Sequence, residues 1–295
     1  METSVSYNVM QISKYQCALR MMACVVLTSI LLVPVGDAES DKVTVPLTDP
    51  SRPSTVKVGL LNGSITVTAY DGKDVIVEAK TRADNDTSSR IGGMKRIPMT
   101  ATGLSVEEEN NQVDIGAQSV QRTVDIAIQV PRRTSLHLKT VNDGDINVTG
   151  VEGELDVDNV NGEVTLKNIS GNAVAHALNG RLLVTFDRIN PQKAMAFSSL
   201  NGDVDVTFPA DLKANVSMSS DRGEVFSDFD VQLEARAPIQ TPVQGAREGG
   251  RFKVNVDKTV RGKINGGGQE IQFKNFNGNI YIRRAGTAAP ANAAR

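Results

Sequence analysis

Between Asp145 and Asn179, polar and apolar residues alternate, and a glycine at every ninth position resets the alternation: Gly144, Gly153, Gly162, Gly171 and Gly180. The units read GDINVTGVE, GELDVDNVN, GEVTLKNIS and GNAVAHALN. Counted from the glycine, positions 3 and 5 and often 8 are apolar (Ile146, Val148, Val151; Leu155, Val157, Val160; Val164, Leu166, Ile169). Positions 2, 4 and 6 are polar. A period of two puts the apolar set on one face of a strand and the polar set in water. A strand of about five residues plus a tight corner fills such a unit, and stacked units share the core that none can build alone. Two units make a coil of about 18 residues, with inward columns Ile146–Val164–Leu182 and Val148–Leu166–Val184 and rungs about 4.8 Å apart. The prediction is an all-β fold, a single-chain β-solenoid or β-roll with about 18–22 residues per coil.

The pattern continues more loosely at Asn62-Gly63, Asn201-Gly202, Gly223 and Asn277-Gly278. Spacings of 22 from Gly180 to Gly202 and 21 from Gly202 to Gly223 predict longer later coils. Asparagine precedes the glycine at Asn161, Asn179, Asn201 and Asn277. Asn-Gly takes the left-handed conformations that a tight corner needs, and stacked asparagines can bond along the coil axis. These asparagines and glycines are expected to be structural turns and not a ligand site.

The chain divides into a leader over 1–38, a polar lead-in over 39–54, a β-repeat body over 55–285 and a disordered tail over 286–295. Irregular insertions are expected near 83–103 and 234–250, the first carrying Arg90, Lys95 and Arg96. In the leader, Lys14 and Arg20 precede an apolar run from Met21 to Val35 that ends in Gly36-Asp37-Ala38. That is the pattern of a secretory signal cleaved after Ala38, which predicts an exported, periplasmic or cell-surface protein. No later segment is long and apolar enough to span a bilayer. Cys17 and Cys24 both lie in the leader, so the mature chain has no disulfide or thiolate-held metal. The net charge of −2 argues against a nucleic-acid partner.

The stretch IAIQVPRRTSLHLKTVNDGDINVTGVEGELDVDNVNGEVTL and the closing KINGGGQEIQFKNFNGNIYIRR carry a resemblance. Together they resemble a bacterial β-strand-repeat family of unknown function labelled "putative adhesin", over roughly Val56 to Arg284. The resemblance implies a β-solenoid or roll in an extracytoplasmic setting, closed by an Ile-Asn-Gly-Gly-Gly hairpin. It implies no catalytic residue. Relatives that accompany envelope-stress regulation supply an alternative role.

No catalytic, cofactor or metal residue is nominated. His137 and His176 stand apart in strand-like segments, which disfavours zinc. His176 falls 18 residues after Asp158, and Arg181 18 after Glu163, so each pair should stack on adjacent coils. The repeats lack the paired glycines of a calcium-binding roll. Asp156/Asp158, Asp203/Asp205 and Glu107-Glu108-Glu109 are expected on solvent faces; in a third class, a carbohydrate-active β-helix enzyme, such acids would share one cleft. Tyr70 and Tyr281 are outward candidates. The reading is a non-enzymatic, envelope-associated interaction or adhesion-like protein whose partner is a protein or glycan. An accessory sensor in envelope-stress signalling is the alternative.

Overall fold

The computed structural model describes residues 40–82, 90–91, 94–95, 101–117, 122–234 and 258–286. The expected leader, most of the first insertion including Arg96, most of the second and all but the first residue of the tail lie outside the described residues. The strands are β1 (Ser40–Pro46), β2 (Ser54–Asn62), β3 (Ile65–Tyr70), β4 (Asp74–Thr81), β5 (Arg90–Ile91), β6 (Met94–Lys95), β7 (Leu104–Glu109) and β8 (Gln112–Ala117). Next come β9 (Val124–Pro131), β10 (Thr134–Asn142), β11 (Ile146–Thr149), β12 (Glu152–Asn161), β13 (Val164–Asn179), β14 (Leu182–Ile189) and β15 (Met195–Asn201). The last are β16 (Val204–Phe208), β17 (Ala214–Ser220), β18 (Val225–Ser227), β19 (Val231–Leu233), β20 (Val260–Ile264), β21 (Gln269–Asn277) and β22 (Ile280–Arg284). The lead-in is therefore partly strand: β1 pairs antiparallel with β4.

Two columns of mostly parallel strands face each other. The first runs β7–β8–β2–β10–β12–β13–β15–β21–β17–β20–β19. The second runs β1–β4–β9–β3–β11–β13–β14–β16–β22–β18. The long β13 turns a corner and serves both. One strand from each column makes a coil: β8/β9, β2/β3, β10/β11, β12 with the start of β13, the rest of β13 with β14, β15/β16, β21/β22 and β17/β18, here coils one to eight in spatial order.

This is the predicted all-β solenoid, with the predicted central register. Ile146 stands beside Val164 and Val164 beside Leu182; Val148, Leu166 and Val184 form the second column. Asp158 is level with His176. Coil order differs from chain order at both ends. Coil one comes from residues that follow coil two in sequence, and β21/β22 slips between β15/β16 and β17/β18. The rung after Gly202 is thus Gly278, not Gly223, and the spacing of 21 does not measure a coil. Nor do β20 and β21 form a hairpin. Both pair with β17, one antiparallel and one parallel, and the Gly266-Gly267-Gly268 loop crosses the start of that strand. There Asn265 donates to the Leu212 carbonyl at 2.7 Å and Asn215 to the Gly268 carbonyl at 2.8 Å.

The nine-residue period alternates between two corners. Gly144, Gly162, Gly180, Gly202 and Gly278 stack at one, Gly153 and Gly171 at the other. A Cβ on Gly162 would lie 2.1 Å from the Gly144 carbonyl oxygen and one on Gly180 2.0 Å from that of Gly162, so the close stacking itself requires glycine. Beside them runs an amide ladder: Asn161 donates to Asn142, Asn179 to Asn161, Asn201 to Asn179 and Asn277 to Asn201, at 2.7–2.9 Å. A buried second ladder caps the glycine carbonyls of the preceding coil. Its donors are Thr140 to Gly63, Asn159 to Gly144, Ser199 to Gly180 and Asn275 to Gly202. Burying these side chains is tolerable because each donates a bond, although Asn159 Oδ1 accepts none among the described residues. The core is aliphatic through coils two to four and aromatic beyond, where Phe186 stacks on Phe208 (5.3 Å) and Phe197 on Phe273 (5.6 Å).

Candidate interaction face

The outer face of the first column is the most distinctive surface. Counting back from the corner asparagine, inward residues fall at even offsets: Leu138, Val157, Phe197 and Phe273 at four, Leu136, Leu155, Met195 and Ile271 at six. The residue immediately before the asparagine must then point out. In coils two to seven it is Leu61, Val141, Val160, Leu178, Leu200 and Phe276, apolar every time. Leu61 is 46 %, Leu178 44 %, Leu200 40 % and Phe276 38 % exposed. At about 4.8 Å per rung this row runs for about 24 Å. Arg222 lies over the Phe276 ring at 5.4 Å and closes its end.

This corrects the reading of position 8. At the corner without asparagine, Val151 and Ile169 are buried as expected. At the Asn-Gly corner the equivalent Val160 and Leu178 face outward. The nine-residue unit is two different half-coils, and treating them as one conceals the outward row. Parity within each strand was the signal that could have found it.

Two residues further back lies a second outward row: Lys139, Asp158, His176, Ser198 and Lys274 in coils three to seven. With Asp221 of coil eight and Val160, Leu178, Leu200 and Phe276 of the apolar row they line a shallow groove of about 650 Å³. Lys139, Asp158 and Lys274 make no side-chain bond among the described residues. A second concavity of about 540 Å³ lies nearer the chain start, where Gly59 and Gly116 stand side by side and leave a gap between Lys57, His137 and Asp114.

The polar side chains of the groove do not form a nucleophilic relay. His176 Nδ1 meets Ser198 Oγ at 2.6 Å, and Asp158 is level with the ring but unbonded to it. A nucleophilic relay needs the histidine to bridge acid and hydroxyl through its two nitrogens, with free amides aimed at an oxyanion. Here the strand carrying Ser198 is paired on both sides. His137 Nδ1 lies 3.4 Å from Asp156 Oδ2, both half-exposed.

Three of the acids expected on solvent faces, Asp203, Glu108 and Asp205, are engaged structurally. Asp203 Oδ1 accepts from the Asn279 amide at 2.8 Å. Glu108 accepts from the Asn111 and Thr48 amides at 2.9 and 3.1 Å, which lower its pKa. Asp205 is buried and not solvated as expected: Arg283 donates to it at 2.7 Å and Arg181 at 3.1 Å. The same bond raises the pKa of Arg283. Arg181 therefore pairs with Asp205 and not with the Glu163 expected beside it. Tyr70 is half-buried and donates to the Asp74 carbonyl at 2.7 Å; Tyr281 stacks on Phe226 at 5.3 Å. No group of three or more metal-ligating side chains occurs among the described residues. Nor is any helix there long and apolar enough to cross a membrane.

A cysteine-poor β-solenoid with ladders at its corners and an unpartnered outer face defines the class of this protein. Within that class, the chain belongs to the Toastrack DUF4097 family, whose model matches residues 28–265. No curated protein matches. Among solved structures the chain is similar to a cell adhesion protein, so described on a "putative" basis, from Clostridium sporogenes: 9 % identity, TM-score 0.34, covering 83 % of this chain and 100 % of that one. It is also similar to a "putative adhesin" from Bacteroides fragilis, at 12 % identity and TM-score 0.31 over 84 % of this chain and 98 % of the other.

Proposed function

We propose that the protein is an exported, envelope-associated, non-enzymatic interaction protein of adhesion-like type, and that it works through the outer face of its first column. The observation that carries this is the apolar row Leu61–Val141–Val160–Leu178–Leu200–Phe276. Solitary exposed leucines are ordinary; six apolar residues in register on a stiff sheet form a contiguous patch of the kind that marks contact sites. The neighbouring charges supply the polar rim that such contacts have. Family membership and the adhesin-like descriptions of similar structures agree with this role, and the leader pattern supports export.

The test is cell fractionation combined with a photo-crosslinking residue at Leu178, with the same residue at Thr185 on the opposite outer face as control. The expected result is a processed protein in the envelope or exterior fraction and an adduct from Leu178 alone. An unprocessed cytoplasmic protein would sink the export reading. Equal adducts from both positions would sink the assignment of the face.

A further inference from the structure

The sequence holds six Asn-Gly pairs, beginning at Asn62, Asn161, Asn179, Asn201, Asn265 and Asn277. Such a pair can attack itself. Once it has lost its proton, the glycine nitrogen, unshielded by a Cβ, adds to the asparagine Cγ if the backbone is free to bend. The fold treats the six pairs differently. At four corners the glycine amide is already committed. Gly63 donates to the Asn142 carbonyl at 2.9 Å, Gly162 to Asn179 at 3.1 Å, Gly180 to Asn201 at 2.9 Å and Gly202 to Asn277 at 3.0 Å. Asn161, Asn179 and Asn201 are also held at both ends of the side-chain amide, each donating to one ladder neighbour and accepting from the other.

Asn265-Gly266 has neither restraint. It forms the middle of the turn that leaves β20, with φ of +48° and +85°, and Gly267 donates to the Ile264 carbonyl at 3.0 Å. That is the pattern of a type I′ turn, in which the third residue finds no partner for its amide within the turn. Gly266 donates its amide to nothing among the described residues, and both residues of the pair are exposed. A Cβ on Gly266 would meet nothing within 4 Å. The Asn265 side chain is held at one end only, by donation from Nδ2 to the Leu212 carbonyl at 2.7 Å. Asn277-Gly278 stands between these extremes. The Gly278 amide is likewise unbonded among the described residues, but the Asn277 carbonyl accepts from Gly202 and both residues are half-buried.

From this contrast we propose that Asn265 is a self-modification site, at which the folded protein deamidates ahead of its other Asn-Gly pairs. The Gly266 nitrogen bonds to Asn265 Cγ, the Cγ–Nδ2 bond breaks, and ammonia leaves with the proton that Gly266 gives up. Water then opens the cyclic imide at either carbonyl and leaves an aspartate or an isoaspartate. Nothing is oxidised or reduced. Both products lose the donor that holds the Leu212 carbonyl and put a negative charge beside it. The isoaspartate also lengthens the main chain by a carbon. The position gives this change a consequence, because the turn joins β20 and β21, the strands on either side of β17. The modification loosens the clamp on the end cap and leaves the glycine stack alone.

The experiment follows the purified full chain in mildly alkaline buffer by peptide mass mapping, where loss of the amide reads as a gain of about 1 Da. Cleavage after lysine and arginine puts each of the six pairs in a different peptide. The Ile264–Lys274 peptide should be modified at least about tenfold faster than those carrying Asn62, Asn161, Asn179 or Asn201, because those corners must first open. The Asn275–Arg283 peptide should fall between. In denaturant the six rates should converge to within about threefold, since every glycine amide is then equally free. Amide exchange in the aged protein should quicken over Lys213–Val216 and stay unchanged around Asn179. Equal rates at all six pairs in the folded protein, or a corner pair that leads, would overturn the proposal. So would a lead of Asn265 that persists undiminished in denaturant, because local sequence and not the fold would then set it. Unchanged exchange over Lys213–Val216 after modification would overturn the clamp.

Discussion

The middle of this molecule and its ends are built by different rules. From Thr134 to Phe208 the coils stack in chain order, each strand meeting the one 18 to 22 residues later. At the ends, neighbours in space are far apart in sequence. Ile65 stands beside Ile146, and Val204 beside Ile280. In both places the coil laid down at the margin of the chain is sandwiched inside, and a coil from another part of the sequence lies outside it. A solenoid that ended on its last local coil would leave a regular parallel edge open to any other strand. Here the first column is finished instead by antiparallel pairs, β7 on β8 at one end and β17–β20–β19 at the other. The middle gets its order from short loops; the ends must close long ones, which costs chain entropy and is repaid only once the whole cap is in place.

Removing residues 258–295 should break this comparison most severely. In a solenoid stacked in chain order, losing the last coil frays one end. In this one it takes away β20, β21 and β22, the only partners of β17 and β18 among the described residues, and strips Phe273 from Phe197. The loss of that buried phenylalanine alone is worth about 3–5 kcal/mol, so the truncation should cost well over that. Residues 214–234 should lose all amide protection, and the denaturant midpoint of the remainder should drop sharply. Persistent protection of β17 after truncation would show that the threaded order is wrong.

A smaller effect tests the middle. Gly162 has φ of +151° and would bring a Cβ to 2.1 Å from a backbone oxygen of the coil below. Gly162→Ala must push two coils apart or twist the corner, at roughly 2–4 kcal/mol. Gly59→Ala meets nothing within 4 Å and should be neutral within about 0.5 kcal/mol. Equal denaturation midpoints for the two variants would mean that the glycine stack does not set the coil spacing.

The same contrast explains what the sequence made legible. The central coil length, the inward columns and the corner glycines follow from period two and period nine, because the interactions that fix them are local. The insertion of β21/β22 leaves no local trace: Asn277-Gly278 looks like any other corner, and nothing in it says that its rung neighbours are Gly202 and Gly223. The outward apolar row was legible in principle, since Val160, Leu178, Leu200 and Phe276 break the parity of their own strands. It was hidden by averaging two unlike corners into one unit. Asp205 also defeats a pattern of outward polar residues, because what buries it are arginines from the coils on either side.

The smallest expected effect concerns how the chain-start end is held. Four carboxylates there lie below their ordinary pKa range. Ser51 lowers Asp49, a hydrogen bond from Arg132 lowers Asp71, Lys80 lowers Glu78, and the Asn111 and Thr48 amides lower Glu108. Two of these contacts, Asp71 to Arg132 and Glu108 to Thr48, tie together segments about sixty residues apart, the same long closures that distinguish the ends. A carboxylate with a depressed folded pKa binds its proton more readily when unfolded. Its contribution is therefore complete above the unfolded value near pH 4 and disappears as pH falls through the lower folded value. These groups are exposed, so each contribution is small. Protection of amides in β2, β7 and β8 should consequently decline modestly as pH drops from about 5 towards 3. In Glu108→Gln, which cannot lose a charge, that decline should be shallower around Asn111. An identical pH response in this variant would mean that the carboxylate does not hold the end, and that the hairpin keeps its place by packing of Val113 and Ile115 alone.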